Sequence, residues 1–235
     1  MKIIHIDPIG PVKISKNRRA RNILLKITPH DGLTVTIPWY GTWKSAEEVI
    51  QKKLAWIKEH LQKQQEKRQI FSENTAFRTR EHHLQIRQSD IPETVIKTAK
   101  GIIEVNYPLS ADIRDNKIQQ AIREEIIRVL KKEARAFLPG RVGSLAAEHG
   151  FSFGRLSFRN QKTRWGSCSS GNNISLNVQL MRLPDEQIDY VILHELCHTR
   201  IRNHGREFWQ LLQGVMPDAR RIHREMKRME GGVFL

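Results

Sequence analysis

The residues best suited to chemistry stand near the C-terminal end, in the run His194-Glu195-Leu196-Cys197-His198, with His204 six residues beyond. Histidines at i and i+4 on a helix lie one turn apart on the same face, so both imidazoles can grip one ion. Zinc suits such a pair, because a neutral imidazole binds through one nitrogen while the other donates the hydrogen bond that fixes its tautomer. Glu195 is displaced by about 100° around the helix from His194, where it reaches a water on the ion without being a ligand itself. That is the position of a general base. Leu193 and Leu196 are apolar, as a buried metal site requires.

His204 would complete a three-histidine set and leave a fourth position open for water. The spacing equals the metzincin pattern His-Glu-x-x-His-x-x-Gly-x-x-His, with Ile201 standing where that pattern has glycine. The helix must therefore stop differently. Asn203 tolerates the left-handed conformation and is the expected place where the chain reverses to bring His204 to the ion. Glu207 and Glu225 are competing acidic third ligands. Cys168 as a fourth ligand would close the site against water, and Cys197 reads as buried packing.

These residues need elements to hold them. Pro184-Asp185 is a start signal, and Ile188, Val191, Ile192 and Leu196 recur at helical spacing, which places the motif on a helix. A last helical region is predicted from about Arg206 to Met229, interrupted near Pro217. Before the motif, Leu156 with Phe158 and the alternating Ile174, Leu176, Val178 and Leu180 predict two strands. Ile118, Ile122, Ile126, Val129, Leu130 and Phe137 mark a long amphipathic helix that Pro139-Gly140 should stop, followed by a shorter helix from Val142 ending at Gly150.

Upstream of Pro108 the character differs. Ile23, Leu25 and Ile27, then Leu33, Val35 and Ile37, read as a hairpin about Pro29-His30-Asp31-Gly32. Ser45 with Glu48 makes a capping box for a helix running to about Gln65, and the polar stretch to Arg80 reads as a linker. Short strands are predicted at Leu84–Arg87, Thr94–Thr98 and Ile102–Tyr107. The expected class is α+β: a small N-terminal β-rich unit with one helix over residues 1–110, then a metal-dependent hydrolase domain over 111–235.

Composition bounds the partners. Forty Lys and Arg against 25 Asp and Glu give a net charge of +15, which favours polyanions such as nucleic acid, ribosomes or nucleotides. No segment approaches the length of a membrane span and no signal peptide is evident, so no membrane insertion and a cytoplasmic address are expected. Two cysteines are too few for a disulfide framework.

The runs Arg164-Trp165-Gly166-Ser167-Cys168, Asn173 to Asn177, Asp189 to His198, Asn203-His204 and Phe208-Trp209 together resemble the YgjP-like metallopeptidases, most strongly from about Phe158 to Met216. Zinc peptidases of the WLM and SprT groups share the helix motif. The resemblance implies a zincin-type domain with Zn2+ on His194, His198 and His204 and with Glu195 as base. It also implies that an edge strand before the active helix, here Asn173 to Leu180, pairs with an extended peptide substrate. Trp165 and Gly166 read as a packing anchor and a tight turn. Arg164 is a candidate to stabilise an oxyanion or to hold a substrate carboxylate or phosphate. The leading expectation is hydrolysis of peptide or protein substrates. A nucleoside triphosphate phosphohydrolase on the same ion, and a nucleic-acid or ribosome-binding protein with structural zinc, are the alternatives, the latter served by the basic runs Lys16 to Arg21 and Arg220 to Arg228.

Overall fold

The computed structural model describes residues 2–28, 32–66 and 69–229. Chain contacts separate two units, Met1–Gln69 and Ile70–Leu235.

In the first unit, strands β1 (Lys2–Ile6), β2 (Gly10–Asn17), β3 (Leu24–Thr28) and β4 (Gly32–Pro38) form one sheet in the order β1-β2-β4-β3. The hairpin expected from the alternating segments is the antiparallel β3–β4 pair, while its turn residues Pro29, His30 and Asp31 lie outside the described residues. Val12 and Ile14 of β2, with Leu33, Val35 and Ile37 of β4, point to one face, where Ala46, Ile50 and Ile57 close the core. These last three come from two helices, α1 (Trp43–Lys52) and α2 (Leu54–Glu66), where the periodicity predicts one. The N-cap is Thr42, whose hydroxyl accepts from the Ser45 amide at 3.1 Å, so the helix begins before the capping box expected at Ser45.

In the second unit, β5 (His83–Ser89), β6 (Val95–Ala99) and β7 (Ile102–Pro108) form a sheet with β7 central. Its inward residues Leu84, Ile86, Ile103 and Val105 share a core with α3 (Asn116–Glu148), so the strands grouped by sequence with residues 1–110 pack with the helix that follows them. The stretch read as a linker is held too. Gln119 of α3, buried, accepts from the Phe71 amide at 3.0 Å and donates to the Phe71 carbonyl at 2.7 Å. Glu133, also buried, accepts from the Thr79 hydroxyl at 2.6 Å, the Arg80 and Glu81 amides, and His82 Nδ1. Two buried polar groups on α3 thus dock residues 70–82.

Helix α3 runs straight through Pro139-Gly140, where a stop was predicted. Proline inside a helix costs about 3 kcal/mol. The apolar stripe continues past it through Leu138, Val142, Leu145 and Ala146, all buried, and each large side chain there contributes about 1.5–3 kcal/mol. Burial wins because Pro139 and Gly140 themselves face solvent. The helix ends as predicted at Gly150, whose φ of +66° allows the Phe151 amide to reach the Ala146 carbonyl at 2.8 Å.

The third sheet places β10 (Ile174–Asn177) between β8 (Leu156–Arg159), parallel to it, and β9 (Gly166–Cys168), antiparallel. The strand predicted to run to Leu180 stops at Asn177. Residues Val178–Arg182 form a 3-10 turn whose alternation reflects burial of Val178, Leu180 and Met181 instead of a pleat. A central strand has no free edge, so residues 173–177 cannot receive an extended peptide, and the expectation for that segment is corrected. Helices α4 (Asp185–Cys197), α5 (Arg206–Val215) and α6 (Ala219–Met229) complete the unit. Among the described residues no helix is long and apolar enough to cross a membrane.

If packing and not local propensity holds α3 together, Gly140→Ala, whose new methyl meets nothing within 4 Å, should raise unfolding free energy by about 0.5–1 kcal/mol. Leu138→Ala, two residues earlier and on the buried face, should lower it by about 2–5 kcal/mol. Urea denaturation of both variants checks this, and equal effects of one sign would contradict it.

Candidate metal centre

Helix α4 is buried almost throughout, with Ile188, Ile192, Leu193, Leu196 and Cys197 in the core. Asp185 and Glu186 occupy its first turn, where the helix dipole favours acids. Asp189 accepts from Arg141 Nε of α3 at 2.6 Å, which fixes the helix against its neighbour. His194 and Glu195 project from its last turn and His198 caps it. The chain then leaves by tight turns, the Thr199 amide bonding the Leu196 carbonyl and the Ile201 amide the Cys197 carbonyl.

Asn203 does not make the left-handed stop expected of it. Among the described residues the non-glycine positions with positive φ are Lys100 and Asn172. Asn172 lies in the turn between β9 and β10, and Arg202 grips that turn from the other side. The Arg202 guanidinium donates to the carbonyls of Ser169 at 2.7 Å and Ser170 at 3.0 Å, and to the Asn172 side chain. Arg202 thereby anchors the loop that carries His204. Nothing in the sequence pattern pointed to it.

The three histidines meet. Nε2 of His194 lies 3.2 Å from that of His198 and 3.0 Å from that of His204, and His198 and His204 are 3.1 Å apart at the same atoms. Phe208, fully buried on α5, stacks on the His198 ring at 4.6 Å and meets His194 and His204 edge-on, so it is the floor of the triad as well as core. The two competing acids lie outside the group: Glu225 accepts from Arg221 at 3.0 Å and Glu207 is exposed. Neither Cys168 nor Cys197 joins it, and burial pushes the Cys197 thiol up to about 12.

The donor set fits a metal of zinc's kind. His198 Nδ1 lies 3.0 Å from the Ile201 carbonyl, which can only accept, so Nδ1 carries the proton and Nε2 offers a lone pair. Burial, then the neighbouring imidazoles, holds His194 down to about 3, and burial lowers His198 as well. Both rings are neutral at physiological pH. Ligand nitrogens about 2.0–2.1 Å from a common tetrahedral centre stand roughly 3.3 Å apart, close to the separations here. A second acidic group, Glu81, His82 and Glu133, gathers on paper, but the oxygens of Glu133 are already occupied by the 79–82 loop.

Glu195 is 5% exposed, and its Oε2 has no hydrogen-bond partner. Burial pushes its carboxyl up to about 8, against the opposing pull of Arg164. It lies under β9 so closely that a methyl on Gly166 would fall 2.7 Å from Oε1. Gly166, read from sequence as a turn residue, has ordinary φ and is there for this close approach. A cavity of about 290 Å³ opens over Glu195, His194 and His204, and Arg164, Trp165, Tyr190, His223 and Lys227 help line it. The Tyr190 hydroxyl bridges His223 Nδ1 at 2.8 Å and His194 Nδ1 at 3.4 Å. Tyr190 and His223 went unmarked in the sequence reading, since they are 33 residues apart and belong to no common motif.

Two solved metallopeptidase zymogens match part of this chain. Jannalysin of Methanocaldococcus jannaschii is 22% identical over 37% of this chain and 90% of its own, at a TM-score of 0.33. Abylysin of Pyrococcus abyssi is 23% identical over 38% of this chain and 91% of its own, at a TM-score of 0.34. No curated protein matches the chain. The family model described as YgjP-like, metallopeptidase domain, matches residues 21–229, a span that takes in β4, α3, the three-histidine group and both C-terminal helices, and the chain therefore belongs to the YgjP-like metallopeptidase family.

Proposed function

We propose that the chain hydrolyses peptide bonds with a zinc ion held by His194, His198 and His204 and with Glu195 as general base. The observation that carries this reading is the convergence of three Nε2 atoms beside a buried carboxylate oxygen that has no partner. A zinc ion bound there would supply Lewis acidity toward a water and the scissile carbonyl. Glu195 takes the water's proton, a transfer that its raised proton affinity favours, and returns it to the more basic leaving amine. Tyr190 orients His194 through Nδ1, and His223 in turn holds the Tyr190 hydroxyl. Arg164 lines the cavity and brings positive charge to where the carbonyl oxygen gains negative charge. The substrate backbone has a place to pair: β9 bonds β10 on one side only among the described residues, and its Gly166 lies directly over Glu195.

Holding and chemistry separate in two variants. His204→Ala, at an exposed position, should weaken zinc binding in chelator competition while leaving the fold intact. Glu195→Gln should keep zinc and lose about 10²- to 10⁴-fold in peptide hydrolysis. A zinc-loaded Glu195→Gln protein with full activity would overturn the assignment of the base. Arg164→Gln should lower kcat for neutral peptides with KM nearly unchanged; a change confined to KM would make Arg164 a ground-state binder instead. Gly166→Ala forces its methyl against the Glu195 carboxylate, so kcat should fall by at least about tenfold with zinc still bound. Unchanged kcat in that variant would mean Glu195 is free to move aside without cost.

A further inference from the structure

Parallel pairing of β2 with β4 brings together two segments that are distant in sequence. The register sets Lys16 beside Ile37 and Asn17 beside Pro38, so the two inner strands finish side by side at the same end of the sheet. Past β2 the chain runs Arg18-Arg19-Ala20-Arg21, and past β4 it runs Trp39-Tyr40. The two segments are hydrogen-bonded to each other. Lys16 Nζ donates to the Trp39 carbonyl at 3.2 Å, and the Tyr40 hydroxyl donates to the Arg21 carbonyl at 3.2 Å.

Trp39 is 62% exposed and Tyr40 is 65% exposed, their rings edge-to-face at 6.0 Å. Arg18, Arg19 and Arg21 are exposed, and among the described residues none of the three makes an ion pair. No Asp or Glu occurs between Asp7 and Asp31, an interval that holds six Lys and Arg. The charge is concentrated in this unit: residues 1–69 carry 14 Lys and Arg against six Asp and Glu, net +8 of the chain's +15. Two large rings left in water beside unpaired arginines need a partner that offers flat faces and negative charge together.

We propose that this end of the first unit binds single-stranded nucleic acid, with bases stacking on Trp39 and Tyr40 and phosphates meeting Arg18, Arg19 and Arg21. A single strand exposes base faces, while a duplex offers the arginines its phosphates and hides its bases. A membrane surface would ask for a continuous apolar face, whereas here the rings stand among arginines and the Tyr40 hydroxyl is tied to the backbone. The inference is independent of the proposed hydrolysis.

The test uses the full chain and labelled oligouridylate or oligothymidylate of about 12 nucleotides, a length within the footprint of such surfaces, with fluorescence anisotropy at roughly 50 and 200 mM salt. Trp39→Ala and Tyr40→Ala should each weaken binding at least about fivefold, with Trp39→Phe close to the parent. Arg18→Gln, Arg19→Gln and Arg21→Gln combined should reduce the slope of log affinity on log salt by about 2, near 0.7 for each phosphate contact. Arg220→Gln with Arg224→Gln should change neither. All these positions are exposed, so circular dichroism should report an intact fold. Three results would each overturn the proposal: no binding to either strand at the lower salt, duplex bound as tightly as single strand, or Trp39→Ala without effect. Preferential partition onto phosphatidylserine vesicles would overturn it as well, in favour of a membrane surface.

Discussion

Three imidazole nitrogens held within 3.2 Å of one another are a constraint that the surrounding fold must enforce, because donor atoms so close repel until a cation lies among them. Helical spacing gives two of the three almost without cost. The third must be brought back against chain entropy by a loop, and the restraint on that loop is Arg202, bonded to the β9–β10 turn through three acceptors. Phe208 supplies the other side, with one buried ring against all three imidazoles. Metal affinity in this arrangement is a property of two distant segments, 169–172 and 208, as much as of the ligands themselves.

The parts of this design that were legible in the sequence are those written in local periodicity. Helix α4, its start at Asp185 and the sharing of one face by His194 and His198 follow from residues within a few turns of each other. Where sequence reading failed, a long-range partner decided the outcome. Pro139-Gly140 reads as a stop until the buried stripe on both sides of it is weighed, and then the helix continues. The alternation of Ile174 to Leu180 is equally compatible with a strand and with a buried turn, and no local pattern says that β10 is central. Asn203 was a sensible choice for a left-handed residue, yet the turn that needed one was at Asn172, on the far side of the Arg202 clamp.

The groups around Glu195 were hidden for a related reason. Gly166 is glycine because another element passes close to it, which φ patterns and turn statistics do not report. Tyr190 shares a helix with His194, whose Nδ1 its hydroxyl approaches, but that hydroxyl is also bonded by His223 from α6. The burial that surrounds Glu195 raises its proton affinity, and the same burial lowers that of His194. One dry environment thus acts in opposite directions on an acid and a base, lowering the proton affinity of the imidazole and raising that of the carboxylate.

Charge divides the molecule along a different line. The second unit holds the histidine group but carries only +7 over its 166 residues, while the first unit carries +8 over 69 and contains none of the site. Such a field acts on encounter with polyanions. Whatever polyanion the first unit attracts is brought to the same chain that carries the cavity, and tethering raises the local concentration of anything bound there regardless of how the two units are oriented. On the proposed reading, local geometry in the second unit sets the specificity of bond cleavage while the charge of the first sets which polyanions the chain meets, and the two rest on separate cores.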